Sequence, residues 1–286
     1  MSLLPGPPSR AEAYLHYSLG LQARLTGDTD IALVEFRLAQ ELDPNAAPVR
    51  VETARLYREM GRLEEATQEA REAVRLGGDN PDAHLILAQL YQIQAIGPEA
   101  ESNIRKAVAE YEEVARLRPT EGHSLLNLAG IYGQLQEHAD AARVWKMYLA
   151  LDPGNFEGHV QRGTHLQLAG QSDEAAEVLR TALELQPDSA RAYQILGEIY
   201  KNDEQPEQAI EYYGKALEAE PNDIRVRLSL GDVLLQESRL DEALEQAGAV
   251  LEIDSKNRFA LDLKGRALRD LRRFEEADVV ADQLVA

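Results

Sequence analysis

The sequence predicts an all-α solenoid, a right-handed superhelix built from eight helical hairpins. Three observations carry this: prolines that close helical patterns at a fixed spacing, two columns of small residues that recur in every unit, and larger apolar side chains at helical spacing. Self-similarity at a period of about 20–50 residues decides the architecture before any single element is considered. Pro44, Pro119, Pro153, Pro187 and Pro221 each end a helical pattern, and the last four follow one another at a constant interval. Proline lacks a backbone donor and disfavours helix for the residue before it, so each marks a turn between hairpins.

Within a unit, the first helix carries Gly20, Ala54, Ala88, Ala129, Gly163, Gly197, Gly231 or Gly265, and the second carries Ala32, Ala66, Ala107, Ala141, Ala175, Ala209, Ala243 or Ala277. The two columns lie 12 residues apart in seven units. That spacing predicts two small residues facing each other where the helix backbones approach most closely. Leu19 and Phe36, Tyr57, Tyr91 and Tyr111, Tyr132 and Trp145, and Leu196, Tyr200 and Tyr213 fill the next layer with the i, i+3, i+4 pattern of a buried stripe. Gly27, Gly61 and Gly170 mark the turn inside a hairpin.

The expected organisation is a flexible segment over 1–10 and an array over 11–286. Its units run about 13–46, 47–80, 81–121, 122–155, 156–189, 190–223, 224–257 and 258–286. In the third unit, Ala88 and Ala107 are 19 residues apart, an insertion of seven. Gly97-Pro98 is expected to break the first helix there, with Glu99 to Arg118 forming a second helix that protrudes by about two turns. At the far end, Ala277, Val280, Ala281, Leu284 and Val285 are expected to form a face that the next unit would cover. This points to a chain cut from a longer protein, or to self-association through that uncapped helix.

These residues together resemble the tetratricopeptide repeat family, with the stretch ARAYQILGEIYKNDEQPEQAIEYYGKALEAEP, residues 190–221, as the best match. The likeness covers about residues 11–286. Gly77-Gly78 with a displaced Pro81, Ser255 in place of a proline, and an eighth unit without a closing turn are departures. The resemblance implies a concave wall of first helices that binds a partner peptide or helix. It projects a groove onto Tyr14, Tyr17, Leu21, Arg24, Val51, Arg55, Arg58, Leu85, Gln89, His123, Leu126, Asn127, Arg191 and Arg225. Counted over all eight units, this wall has eight basic and seven acidic side chains, so it is near +1 in a chain of net charge −20. Acidity is therefore expected on the outer wall, including Glu64, Glu65, Glu112 and Glu113. The family's clamp for a terminal carboxylate is not matched, since Tyr17, Leu21, Val51 and Leu85 occupy those places.

Function classes follow by exclusion. A charge of −20 repels nucleic acid, and no apolar run reaches the ~18 residues that a membrane span needs. With no cysteine there is no disulfide, thiolate nucleophile or cysteine metal site. Signatures of phosphate loops, zinc hydrolases and nucleophile elbows are absent. His16, His84 and His159 share one column, which reads as packing, and His159 and His165 are six apart on different helix faces. No catalytic residue, cofactor or metal is therefore expected. The sequence points to a scaffold that binds protein, with a recruiting arm of a larger enzyme such as a glycosyltransferase as the alternative. The expected compartment is the cytoplasm, or the periplasm for a piece of an exported precursor.

Overall fold

The computed structural model describes residues 10–285. Of the expected flexible segment, residues 1–9 lie outside the described residues, and Arg10 is already helical. Sixteen α-helices and no strand occur among the described residues. They fall into two compact units, Met1–Gln136 and Glu137–Ala286. The first holds α1 (Arg10–Thr26), α2 (Thr29–Leu42), α3 (Ala47–Glu59), α4 (Leu63–Leu76), α5 (Pro81–Ile93), α6 (Ala100–Leu117) and α7 (Gly122–Gln134). The second holds α8 (His138–Leu151), α9 (Phe156–Leu168), α10 (Ser172–Leu185), α11 (Ala190–Asn202) and α12 (Pro206–Ala219), followed by α13 (Ile224–Gln236), α14 (Leu240–Ile253), α15 (Arg258–Asp270) and α16 (Phe274–Val285).

Inside each unit a first helix packs on its own second helix, which in turn packs on the next first helix. The hairpins thus form a continuous stack within the unit. The second-helix alanine column, Ala32 to Ala277, is buried throughout. Opposite it, however, the geometry differs from two small residues meeting. A Cβ placed on Gly20 would lie 2.5 Å from the Phe36 ring, one on Gly163 2.6 Å from Leu179, and one on Gly197 2.6 Å from the Tyr213 ring. Each of these glycines receives a large side chain from the second helix of its own hairpin, where a methyl group would clash. Both small-residue columns are buried, but the tight fit is glycine against ring or Leu.

The turns inside hairpins have a fixed backbone requirement. Gly27, Gly61 and Gly170 have φ of 85°, 73° and 75°, and Gln136, Glu204, Ser238 and Arg272 take φ of 56–59° at the equivalent places of other units. A left-handed residue ends the first helix whether or not a glycine is there. Between hairpins, side-chain caps start the first helices: Asn80, Asn155, Ser189, Asp223 and Asn257 accept hydrogen bonds from backbone N–H groups of α5, α9, α11, α13 and α15. These oxygens satisfy donors that a helix start leaves free. Neighbouring hairpins are also stapled by Arg37 and Arg71, which donate to the hydroxyls of Tyr57 (3.2 Å) and Tyr91 (3.0 Å).

The third unit departs from expectation. Its first helix stops at Ile93 rather than at Gly97-Pro98, and a 3-10 turn spans Gly97–Glu99 before α6. α6 has 18 residues against 14 in α4, so the insertion lengthens the helix by about one turn and not two. The remaining extra residues lengthen the connection, where the Asn103 amide donates to the Gln94 carbonyl and fixes it. At α16, Ala277 and Val280 are buried in their own hairpin with Leu261 and Leu268, and Leu284 packs against the same cluster. They do not form the open face expected of them; of that set Ala281 is exposed, and the Val285 side chain lies outside the described ones. Leu19, assigned to the buried layer, is 40% exposed because no helix precedes α1 among the described residues.

Two outcomes are expected in denaturant unfolding. Ala209→Leu inserts three carbons into a fully buried site and should cost ~1–3 kcal/mol; unchanged stability would remove the column from the packing scheme. Glu204→Gly relieves a left-handed conformation and should raise stability by up to about 1 kcal/mol, a gain that a loss of stability would contradict.

Candidate functional site

In the first unit, α1, α3 and α5 lie side by side, since α1 touches α3 and α3 touches α5. Their shared wall carries Tyr14, Tyr17, Leu21, Arg24, Val51, Arg55, Arg58, Leu85 and Gln89 of the residues picked out for a groove, while His123, Leu126 and Asn127 lie on α7. Tyr14 is 70% exposed, whereas Tyr17, Leu21, Leu85, Gln89, Leu126 and Asn127 are half-buried and His123 is exposed. Val51 is the exception at 3% exposure: its side chain belongs to the core and offers no surface. Arg191 and Arg225 are exposed in the second unit.

An apolar cleft of about 350 Å³ lies on this wall between α1 and the start of α3. Ala13, Tyr14, Tyr17, Ala46, Pro48 and Val49 line it, with Arg10 and Asp43 at the polar edge. The two tyrosine rings are tilted at 53° with centroids 6.4 Å apart, and Tyr17 leans on buried Phe36 at 6.2 Å. Burial, and then the charge of Glu52, push the Tyr17 phenol above its ordinary range, so it stays a neutral hydrogen-bonding group at physiological pH. Tyr14 and Tyr17 were readable from sequence; Ala13, Ala46 and Val49 were not, because only the packing of α3 against α1 makes them the walls of one cleft.

The arginines are arranged differently from free peptide clamps. Arg24 Nη2 lies 3.2 Å from Glu52 Oε2, and its Nη1 3.1 Å from Glu59 Oε1. Arg55 Nη1 donates to the other oxygen of Glu52 at 2.7 Å, and its Nη2 lies 3.3 Å from Asp82 Oδ1. Arg118 completes the series, 3.0 Å from Asp82 Oδ2 and 3.1 Å from Glu121 Oε2. Alternating charges therefore run from α1 across α3 and α5 to the start of α7. Glu52 is 7% exposed, and burying a carboxylate there is tolerable only because a guanidinium stands on each side. Arg24 and Arg55, placed in the groove by the sequence, are thus each already paired with carboxylates on their own or a neighbouring helix.

Arg58 is different. Its Nη1 donates to the neutral Gln89 Oε1, and no carboxylate pairs with it among the described residues. Its surroundings are polar and neutral: Tyr111, whose hydroxyl donates to Gln92 Oε1 at 3.0 Å, is pushed up to about 12 by burial, with Asn127 and Arg58 opposing the shift. Asn127, one of the projected groove residues, thus sits beside a buried phenol. The outer acidic face is also less uniform than expected, because Glu112 accepts a 2.6 Å hydrogen bond from the Tyr132 hydroxyl. His16 and His84 meet Glu35 and Glu110 at 2.6 Å and His159 meets the Pro153 carbonyl at 2.9 Å, all contacts that fix packing.

In the second unit the equivalent wall repeats the arrangement on a smaller scale. Arg191 Nη1 lies 2.9 Å from Glu157 Oε1, and Arg266 Nη1 lies 3.4 Å from Asp232 Oδ1, each pair joining like positions of consecutive hairpins. These pairs are well exposed and contribute little individually.

Models of the tetratricopeptide repeat match the sequence over residues 51–94 and 99–156, 178–211, and 202–267, together more than half of the chain. No curated protein sequence matches it. Among solved structures, one described as "Structure of Naa15/Naa10 bound to HypK-THB" is similar with a TM-score of 0.75 and 16% identity, over 90% of this chain and 39% of that one. YrrB, "a TPR protein with an unusual peptide-binding site", is similar with a TM-score of 0.51 and 22% identity, over 67% of this chain and 95% of that one. MamA is similar at 0.50 and 25%, over 56% of this chain and 96% of that one. The chain thus spans 39% of the length of the first of these chains, which it matches over most of its own length.

Glu52→Ala should cost about 2–3 kcal/mol in urea unfolding, because two part-exposed guanidinium groups lose their common carboxylate. A cost no larger than that of a single exposed ion pair, about 0.5 kcal/mol, would show that the charge series is ornamental to stability.

Proposed function

Because this chain belongs to the tetratricopeptide repeat family, we propose that it is a non-catalytic scaffold that binds a partner peptide on the wall formed by α1, α3 and α5. The observation that carries the reading is the tyrosine-lined cleft: an exposed apolar recess, in a chain of net charge −20, beside a polar strip with one unneutralised arginine. Tyrosine supplies large contact area at low entropic cost, and a cleft of this size takes a single apolar side chain of an extended segment. Arg58 then favours a carboxylate on the same segment, and Asn127, Gln89 and Gln92 offer amide groups to its backbone. The peptide-binding site in the description of YrrB is consistent with such a role.

The alternative, a recruiting or regulatory arm of a larger enzyme, draws support from one comparison. The repeat chain matched over 90% of this one is described in a complex with two other proteins. Both readings use the same surface and differ in what else is attached to it.

The test is a peptide selection on the wild-type chain from a displayed random library, followed by affinity measurement on variants. Tyr17→Ala should weaken the selected peptides about tenfold or more at any ionic strength, because an apolar anchor is lost. Arg58→Gln should weaken them mainly at low salt, since exposed charge interactions are screened over ~10 Å at 0.1 M. Glu41→Lys with Glu101→Lys, both exposed on second helices, should leave affinity unchanged. Loss of binding in this outer pair with none in the wall variants would place the partner elsewhere.

A further inference from the structure

Two histidines that no sequence pattern brings together meet in the second unit. His165 is separated from His159 by helix geometry, as expected, but it faces His138 of the preceding helix. The two Nδ1 atoms are 3.2 Å apart, with the rings inclined at 27° and their centroids 5.4 Å apart. His138 opens α8 and His165 lies near the end of α9, so the pair sits at a joint between consecutive hairpins of the second unit.

That joint is apolar on the first-helix side in the other hairpins of the same unit. The corresponding pairs are Ser172 and Ile199, Pro206 and Val233, and Leu240 and Ala267, and Ile199, Val233 and Ala267 are buried. Replacing a buried apolar residue by imidazole loses packing and brings a polar group out of water, a cost that the register avoids elsewhere. Here an imidazole takes that first-helix place, and a second imidazole stands opposite it where the other joints have Ser172, Pro206 or Leu240.

We propose that His138 and His165 form a two-imidazole site for a divalent transition-metal ion, with water completing the coordination. Two metal–nitrogen bonds of about 2.0–2.1 Å at the tetrahedral angle place their nitrogens about 3.3 Å apart, close to the separation here. His138 is only half-buried, which leaves a path for the ion and its waters. Glu137 and Asp140, beside His138 at the start of α8, offset the unfavourable positive end of the helix. Among the described residues no group of three or more His, Cys, Asp or Glu is placed to hold a metal, so the site has two protein ligands and modest affinity. Copper(II), the tightest binder among divalent ions of this series, is the appropriate probe.

The experiment is titration of the full chain with copper(II) chloride, read by calorimetry and electron paramagnetic resonance. The comparison protein is His138→Leu with His165→Ile, the residue types that stand at the corresponding places Leu240 and Ile199; both contain the same terminal amine and the same other four histidines. The wild type should bind one additional equivalent with the resonance pattern of imidazole nitrogen, and zinc chloride should raise its melting temperature but not that of the double variant. His138→Ala alone, at the more exposed position, should lower the affinity at least tenfold and serves if the double variant folds poorly. Equal copper binding by wild type and variants would overturn the proposal and leave the contact as an N–H···N hydrogen bond.

Discussion

Each hairpin depends on how closely two helix backbones can approach. The alanine column of the second helices, from Ala32 to Ala277, is buried without exception, and Gly20, Gly163 and Gly197 receive Phe36, Leu179 and Tyr213 with no room for a methyl group. A short helical pair has too little surface to be stable alone, so close contact within the hairpin and the shared faces between hairpins must both be satisfied. The interlocking of a bare backbone with a large side chain does this with few aromatic residues. It also explains why a chain with four Phe and one Trp still fills its core.

The wall of first helices exists because that packing sets consecutive first helices side by side. Adjacent helices then present like positions to one another, and the charges on them must be compensated across the gap. Glu52 between Arg24 and Arg55, and Asp82 between Arg55 and Arg118, do so in the first unit. Arg58, whose partner is a neutral amide, breaks the alternation. The charges of the candidate surface are therefore mostly spent on one another, and what remains unpaired is narrower than its residue types suggest: two tyrosines over an apolar cleft, with Arg10 at its edge and Arg58 on the wall.

Much of this was legible in advance because the repeat is a covalent fact. Fold class, hairpin number and the buried columns follow from spacing in the chain, and a helix period constrains which side chains share a face. The insertion shows where legibility fails. Seven extra residues are plain from Ala88 and Ala107, yet their division between a longer connection and one added turn of α6 depends on Asn103 reaching the Gln94 carbonyl, a contact outside the periodic pattern. Likewise Val51 fits the wall by register but turns into the core, and Ala277 and Val280 are used inside their own hairpin.

The sequence by itself determined the all-helical repeat, its small-residue columns, its turns and its net acidity, because each depends on residue type at a fixed interval along one chain or on composition alone. Tertiary structure alone decided which charges are spent on one another, that Tyr14 and Tyr17 border a single cleft with Pro48 and Val49, and that His138 meets His165. Those are relations between side chains on different helices, and distances between helices, unlike positions within one, are set by how the side chains interlock. The sequence separation of His138 from His165, or of Arg24 from Glu52, carries no meaning until the hairpins are stacked.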